Sequence, residues 1–231
     1  MPAHILVTGS TRGIGAAIVP ALEAKGAQVV GHGRGDGQGV IGADLGQAGA
    51  ADALWDKALE ALDGRIDVLV NNAGVFEGVA VDAPADEWRA AWGRTMQINL
   101  QASADLCRRA VLHFHERGSG GRIVNIASRA AYRGDSPEHW HYAASKAGMV
   151  GMTKSIARSY AGEEILAFAV CPGFVMTGMA GDDLAARAAD IPLGRVATPE
   201  EIAGIAAYLA LEAPASMTGA VLDANGASFV R

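Results

Sequence analysis

A tyrosine and a lysine four positions apart, Tyr142 and Lys146 in His141-Tyr142-Ala143-Ala144-Ser145-Lys146, are the pair in this chain best suited to move a proton. They open a run rich in Ala, Met, Lys and Arg that reaches about Tyr160 without a proline, which reads as a helix packed closely against its neighbours. Positions four apart share one helix face, so the phenol and the ammonium meet at one patch. A free phenol titrates near pKa ~10; a fixed cation beside it favours the phenolate and draws that value toward the working range, making Tyr142 a candidate general acid and base. Taken alone, so short a motif fits an ordinary exposed Tyr and Lys better. The rest of the chain has to decide.

Ser128 stands just past a predicted fifth strand, Gly121 to Ala127, and the carboxyl ends of parallel strands are where open α/β sheets bind ligands. Asn99 lies between Ile98 and Leu100 in a stretch from Pro84 to about Arg117, expected as two helices with Trp88, Trp92, Met96, Leu100 and Leu106 on apolar faces. An amide in such a stretch needs a partner, so Asn99 holds a structural hydrogen bond, the favoured reading, or a buried water. His139, Trp140 and His141, in the loop from Arg129 to His141, are candidates for a pocket wall, with exposure favoured for His139.

The chain also carries a place for a phosphate. A strand from Ala3 to Thr8 runs into Gly9-Ser10-Thr11-Arg12-Gly13-Ile14-Gly15 and then a helical pattern from Ala16 to Lys25. Strand, glycine turn and helix together present free N–H groups and a positive helix end to an anion. Gly9 permits the turn, while Gly13 and Gly15 let a pyrophosphate and the neighbouring strand come close. A second strand, Gln28 to His32, leads to Gly33 and Arg34. An acid at this place binds a ribose 2′-hydroxyl and an arginine accommodates a 2′-phosphate, so Arg34, helped by Arg12, favours NADP(H), with NAD(H) possible. Were Asp36 to meet the ribose instead, the preference would reverse.

Val40 to Ala43 is a third strand whose following Asp44 and Leu45 are placed to hold an adenine; a helix is expected from Ala48 to Leu62. The fourth, Ile66 to Val70, is fully apolar, as in a buried parallel sheet, and runs into Asn71-Asn72-Ala73-Gly74. There the amides are suited to tie the sheet together while the small residues leave backbone flat against a ligand. The sixth, Ile165 to Val170, ends in Cys171-Pro172-Gly173-Phe174-Val175-Met176-Thr177, whose Pro-Gly turn with Thr177 suits a nicotinamide amide. Gly178 to Asp190 reads as a mobile flap, Pro199-Glu200-Glu201 as a helix start, and Val221 to Asp223 as a last strand.

With 231 residues and 23.7 kDa the chain suits one large α/β domain and no second full one. Half of its residues are hydrophobic and 19% charged, with no apolar run approaching ~18 residues, which predicts a soluble globular protein. Met1-Pro2-Ala3-His4 shows no basic segment or cleavage site, so no secretory signal is expected. Cys107 and Cys171 have neither disulfide-framework nor metal-ligand spacing and read as reduced core residues of a cytoplasmic protein without a metal. A net charge of −6 with no basic block disfavours nucleic acid and anionic membrane as partners.

The ordered set Thr8-Gly9-x-x-x-Gly13-Ile14-Gly15, Asn71-Asn72-Ala73-Gly74, Asn99, Ser128, Tyr142-x-x-x-Lys146 and Pro172-Gly173 closely resembles the short-chain dehydrogenase/reductase family, especially compact members such as β-ketoacyl carrier-protein reductases. The likeness spans essentially the whole chain. It implies a single doubly wound (Rossmann) α/β domain over 1–231 with a seven-stranded parallel sheet, a substrate flap at about 178–195, and hydride transfer between NAD(P) and a carbonyl or secondary alcohol. It also implies that Tyr142 protonates the carbonyl oxygen, Ser128 polarises it, Lys146 lowers the Tyr pKa and binds the nicotinamide ribose, and Asn99 holds a water relaying protons. Gly9, Thr11, Arg12, Gly13, Ile14, Gly15, Arg34, Asp44, Leu45, Asn72, Ala73, Gly74, Tyr142, Lys146, Pro172, Gly173, Val175 and Thr177 are the expected cofactor contacts. Family members are commonly homotetramers or homodimers, and the helices Met96 to Arg117 and Tyr142 to Tyr160 resemble those that pair. The polar, aromatic loop Glu138 to His141 keeps a second reading open, an NAD-dependent dehydrogenase of a sugar or cyclic alcohol. A third, a non-catalytic nucleotide-binding regulator, is disfavoured by the intact proton-transfer set.

Overall fold

The computed structural model describes residues 2–178 and 184–231. Its strands are β1 (His4–Val7), β2 (Gln28–Gly33), β3 (Val40–Gly42), β4 (Val68–Asn71), β5 (Gly121–Ile126), β6 (Ile165–Pro172) and β7 (Val221–Ala224), all parallel in one sheet of order β3-β2-β1-β4-β5-β6-β7. The order reverses between β1 and β4, which opens a crevice at their carboxyl ends. The helices are α1 (Gly13–Glu23), α2 (Ala50–Ala61), α3 (Ala85–Met96), α4 (Ala102–Arg117), α5 (Ala130–Arg133), α6 (Trp140–Tyr160), α7 (Leu184–Ala189) and α8 (Pro199–Leu211).

Alternate residues of each strand feed opposite cores, which is why the strand sequences are continuous apolar runs. Leu6, Leu69 and Ile123 pack with Trp55, Leu106 and Phe114 of α2 and α4 on one face; Ile5, Val7, Val70 and Phe168 pack with Ile18 and Ile202 of α1 and α8 on the other. All eight residues of β6 are buried. Asn71, fully buried, donates from Nδ2 across the sheet to Asn125 Oδ1 (2.9 Å), and Asn125 Nδ2 in turn donates to Thr153 Oγ1 (2.8 Å) on α6. The first amide of the Asn71-Asn72 pair thus ties strands and helix, as expected. Cys107 and Cys171 are buried free thiols, pushed up by burial to about 12 and about 11.

Three local features depart from expectation. Residues 130–133 form α5 inside the predicted loop, β6 continues through Cys171 and Pro172, and the two helices expected between Pro84 and Arg117 run on as α3 and α4 through a single π-turn, Gln97–Gln101. The π-turn places Asn99, and such widened turns recur at functional sites. The predicted flap is partly described: α7 lies in it, and residues 179–183 fall outside the described residues. No helix among the described residues is long and apolar enough to cross a membrane.

Candidate active site

At the carboxyl ends of β1, β2 and β4 the backbones approach too closely for side chains. A Cβ on Gly15 would lie 2.0 Å from the Gly9 carbonyl oxygen, one on Gly9 2.8 Å from Ala73 Cα, and one on Gly33 2.6 Å from Thr11 Cγ2. Gly9 and Gly13 also adopt φ of 66° and 55°, conformations that a Cβ disfavours. Polar side chains lock this cradle. Asn72 Nδ2 donates to both Thr8 O and Gly9 O (3.0 Å each), and Thr8 Oγ1 accepts from the N–H groups of Asn72 and Ala73 (3.0 Å each). Thr177 reaches the same place, its Cγ2 3.1 Å from where a Gly13 Cβ would stand. The first turn of α1 carries no acid, so its positive end is unopposed.

Farther along the crevice, Arg34 and Asp36 are both exposed, and Asp36 Oδ1 accepts from Gly42 N (2.7 Å). Asp44 accepts from Gly46 N (3.0 Å), a bond that holds its carboxyl below the usual range, with Arg94 and Arg34 adding to the effect. Leu45 is buried against the α2 core. At the other end, Pro172 closes β6, a Cβ on Gly173 would meet Asn225 Cβ at 2.9 Å, and Val175 pairs with Ala197.

Ser128 and Tyr142 come together beside β5 and the start of α6, with the serine hydroxyl in hydrogen-bond reach of the phenol. Ser128 is buried and its Oγ also accepts from Ala130 N (3.1 Å), so α5 begins by orienting it. Lys146, 4% exposed, donates from Nζ to Ile126 O (2.8 Å) and stands 5.9 Å from the centroid of the Tyr142 ring. Both Lys146 and Asn99 border Gly74, where a Cβ would lie 3.6 Å from Nζ and 3.3 Å from Asn99 Oδ1. Asn99 is fully buried and holds the Val75 backbone with both ends of its amide, accepting from Val75 N (2.8 Å) and donating to Val75 O (3.0 Å), with Ser145 Oγ at 3.2 Å. Of its two readings, the structural bond is the one this geometry carries.

The family model described as "Enoyl-(Acyl carrier protein) reductase" matches residues 9–226. The chain belongs to the short-chain dehydrogenase/reductase family. Among curated relatives, the 3-oxoacyl-(acyl-carrier-protein) reductase FabG of Vibrio harveyi is 34% identical, covering 97% of this chain and 96% of its own. The 3beta-hydroxysteroid dehydrogenase 1 of Eggerthella lenta is 35% identical (96% and 92%), and the D-threitol dehydrogenase of Mycolicibacterium smegmatis 37% identical (98% and 92%). This short-chain dehydrogenase/reductase is accordingly an oxidoreductase that interconverts carbonyl and alcohol groups with a nicotinamide cofactor. Its residues fit that cofactor: Gly9 and Gly15 let the loop after β1 pack tightly against the start of α1, whose first turn carries no acid, which is the arrangement a pyrophosphate requires.

One expectation is overturned. Burial pushes Tyr142 up to about 12, against the pull of the Ser128 hydroxyl, and Lys146 does not reverse it. Lys146 is itself pushed down to about 8 by burial. Spacing on a helix brought the two groups to one site, but the ammonium, 5.9 Å from the ring centroid, is held on Ile126 O.

The structure adds residues that sequence reasoning passed over. Phe76 packs edge-on against Tyr142 (4.7 Å) and stacks on His139 (3.9 Å), so His139 is half-buried. Trp88 meets Trp140 (5.5 Å), and Trp92 meets the fully buried His141 (5.8 Å). The aromatic loop residues were visible in the sequence; their partners on α3 and after Gly74 carry no local signal.

Proposed function

We propose that this oxidoreductase is an NADP(H)-dependent ketoreductase, with secondary-alcohol oxidation as its reverse. The observation that carries the reading is the buried Ser128 hydroxyl in hydrogen-bond reach of the Tyr142 phenol, with the Lys146 ammonium beside them and a glycine cradle in front. The bound, reduced nicotinamide supplies the hydride. Ser128 polarises the carbonyl oxygen and Tyr142 protonates it as negative charge develops there. Tyr142 holds its proton at neutral pH, the form that ketone reduction requires of its acid. Lys146, a cation at neutral pH even with its value near 8, binds the nicotinamide ribose. A water relaying protons from Lys146 would sit beside Asn99, whose side-chain amide is engaged with Val75.

The preference for NADP(H) rests on three facts. A side chain at Gly33, acidic or otherwise, would have to displace the Thr11 methyl; Asp36 Oδ1 is turned to Gly42 N; and Arg34 is exposed at the strand end with Arg12 at the N-cap of α1. Gly9, Thr11, Arg12, Gly13, Ile14, Gly15, Asn72, Ala73 and Gly74 would hold the pyrophosphate and ribose, Asp44 and Leu45 the adenine, and Pro172, Gly173, Val175 and Thr177 the nicotinamide amide. The residues at 178–195 would cover the substrate. Pairing of the helices Met96 to Arg117 and Tyr142 to Tyr160 into a homodimer or homotetramer, and residence in the cytoplasm, belong to the same reading.

The aromatic and imidazole groups near Tyr142 favour one second reading, NAD-linked oxidation of a sugar or cyclic alcohol, since such rings stack on aromatic faces. A panel of ketones, cyclic ketones and polyols, assayed with each cofactor by nicotinamide absorbance, separates the two. Turnover of ketones with NADPH well above NADH is expected; faster polyol oxidation with NAD would replace the first reading by the second.

A further inference from the structure

His32 is the one titratable side chain of β2, 4% exposed in a strand of otherwise small and apolar residues apart from its first, Gln28. Both ring nitrogens face main chain: Nδ1 lies 3.1 Å from Gly9 N and Nε2 3.0 Å from Ala43 O. A backbone N–H only donates and a carbonyl only accepts, so the two bonds select one form of the ring, neutral, with Nδ1 accepting and Nε2–H donating. Burial holds the imidazole below its ordinary value, and no charged group contributes to that shift. The groups gripping the ring are the main chains of Gly9, from the loop after β1, and Ala43, from the end of β3. The His32 carbonyl adds a second hold, accepting from Ser10 N (2.8 Å) and Ser10 Oγ (3.2 Å).

What His32 grips is half of a single peptide unit. Its other half, Thr8 O, is bound from the opposite side by Asn72 Nδ2 (3.0 Å). The Thr8–Gly9 peptide is therefore clamped from β2 through its N–H and from β4 through its C=O. Gly9 is the residue least able to keep one conformation unaided, because φ of 66° costs it nothing relative to its alternatives. The same ring binds the carbonyl of Ala43, one residue before Asp44. It thus joins the loop expected at the pyrophosphate to the strand end expected at the adenine.

We infer that His32 is a positioning residue for the cofactor, a neutral imidazole that fixes the glycine loop and couples it to the adenine end of the site. The inference rests on the dinucleotide lying along Gly9 to Gly15. Protonation turns Nδ1 into a donor facing the Gly9 N–H, so acid releases the clamp. Cofactor affinity then falls with acid beyond what the cofactor's own 2′-phosphate accounts for.

The test is NADP+ binding to the full-length protein by calorimetry at about pH 7.5 and stepwise down to about pH 4.5, well below the ordinary histidine value because burial holds this imidazole beneath it. Wild type is compared with His32→Leu, His32→Asn and His32→Gln. The Leu side chain leaves the Gly9 N–H without a partner, and an affinity about tenfold weaker at the higher pH is expected from loss of one buried hydrogen bond. Asn places an acceptor where Nδ1 stands and recovers most of that loss, whereas Gln reaches only toward Ala43 and does not. The steeper acid loss appears in wild type alone; the 2′-phosphate, which titrates near pH ~6, cancels in the ratio to the variants. In steady-state assays the KM for cofactor rises while kcat at saturation stays within about twofold, which a general loss of folding would not give. Equal affinities in wild type and His32→Leu, no difference between Asn and Gln, or, should the Leu variant not fold, the same acid loss in Asn as in wild type overturns the inference. Failure of the wild type to bind either NADP+ or NAD+ would instead remove the cofactor site on which it stands.

Discussion

The two halves of the crevice are built by different means. On the cofactor side, β1, β2 and β4 meet backbone to backbone: Gly15 against the Gly9 carbonyl, Gly9 against Ala73, and Thr8 and Asn72 bonded main chain to side chain. On the substrate side, the segments 75–79 and 136–140 share one backbone bond, Val79 N to Glu138 O (3.0 Å), and meet through Phe76 on His139, while α3 joins them through Trp88 on Trp140. Backbone contacts admit almost no substitution because nothing can shift, whereas ring contacts tolerate exchange at modest loss. The fold thus invests its exact fit in the half that every reaction shares and leaves to adaptable side chains the half that faces the substrate.

The largest effect should come from the proton donor between them. Tyr142→Phe is expected to lower kcat by about 10³-fold, within the range of general acid catalysis, while leaving NADPH affinity within about twofold. Stopped-flow turnover and cofactor fluorescence read the two quantities separately. Retained turnover would show that the phenol is not the acid. Next, Gly15→Ala puts a methyl 2.0 Å from Gly9 O; cofactor binding should fall by about 100-fold or more, because the backbone itself must move. A comparable loss from Phe76→Ala would break the contrast between rigid and adaptable halves. Arg34→Ala should then weaken NADPH by about tenfold or more and leave NADH nearly unchanged, the size of a charge-assisted contact to phosphate. Equal losses for both cofactors would mean that Arg34 does not meet the 2′-phosphate.

Much of the cofactor half could be read from residue order because glycines at strand ends have few alternative explanations, and apolar strands buried on both faces leave little ambiguity of type. Gly9 and Gly13 take positive φ in the turn after β1, Gly15 packs on the Gly9 carbonyl, and Asn72 ties the end of β4 to that turn. Less was legible where tertiary contact decides. Four residues, Ala130 to Arg133, are too few to show a helical period, and the Asn99 side chain in the π-turn finds its partners on the distant backbone of Val75. Spacing placed Tyr142 and Lys146 together but could not weigh burial, which sets the direction of both their shifts. His32 gave no signal because a strand pattern says which face a side chain takes and not which backbone groups await it.

A buried cation also has a measurable effect on folding. Burial lowers Lys146 from 10.5 to about 8, so the native state disfavours the ammonium that the unfolded chain accepts freely. Its destabilisation is therefore complete below about pH 8 and is relieved as pH rises toward 10.5. Lys146→Met is expected to abolish most activity yet raise Tm by about 5 °C at neutral pH, the gain shrinking toward pH ~10.5. Scanning calorimetry across that range tests it; a Tm loss at neutral pH would mean that the Ile126 bond outweighs desolvation.

The smallest predicted effect bears most directly on the contrast. Phe76 meets Tyr142 edge-on at 4.7 Å and His139 face-on at 3.9 Å, yet belongs to neither the glycine cradle nor the proton-transfer set. Phe76→Leu keeps apolar volume while removing the flat face, so the core is nearly undisturbed and stability should change by less than about 1.5 kcal/mol. What changes is the surface beside the reacting carbonyl. KM should shift by about threefold to tenfold, more for cyclic substrates than for linear ones, since stacking is worth about 0.5–1.5 kcal/mol. NADPH affinity should not move, because no backbone contact of the cradle passes through this ring. Parallel changes in cofactor and substrate constants would show instead that the two halves act as one rigid unit, with the residues after Gly74 transmitting strain into the loop that ends at it.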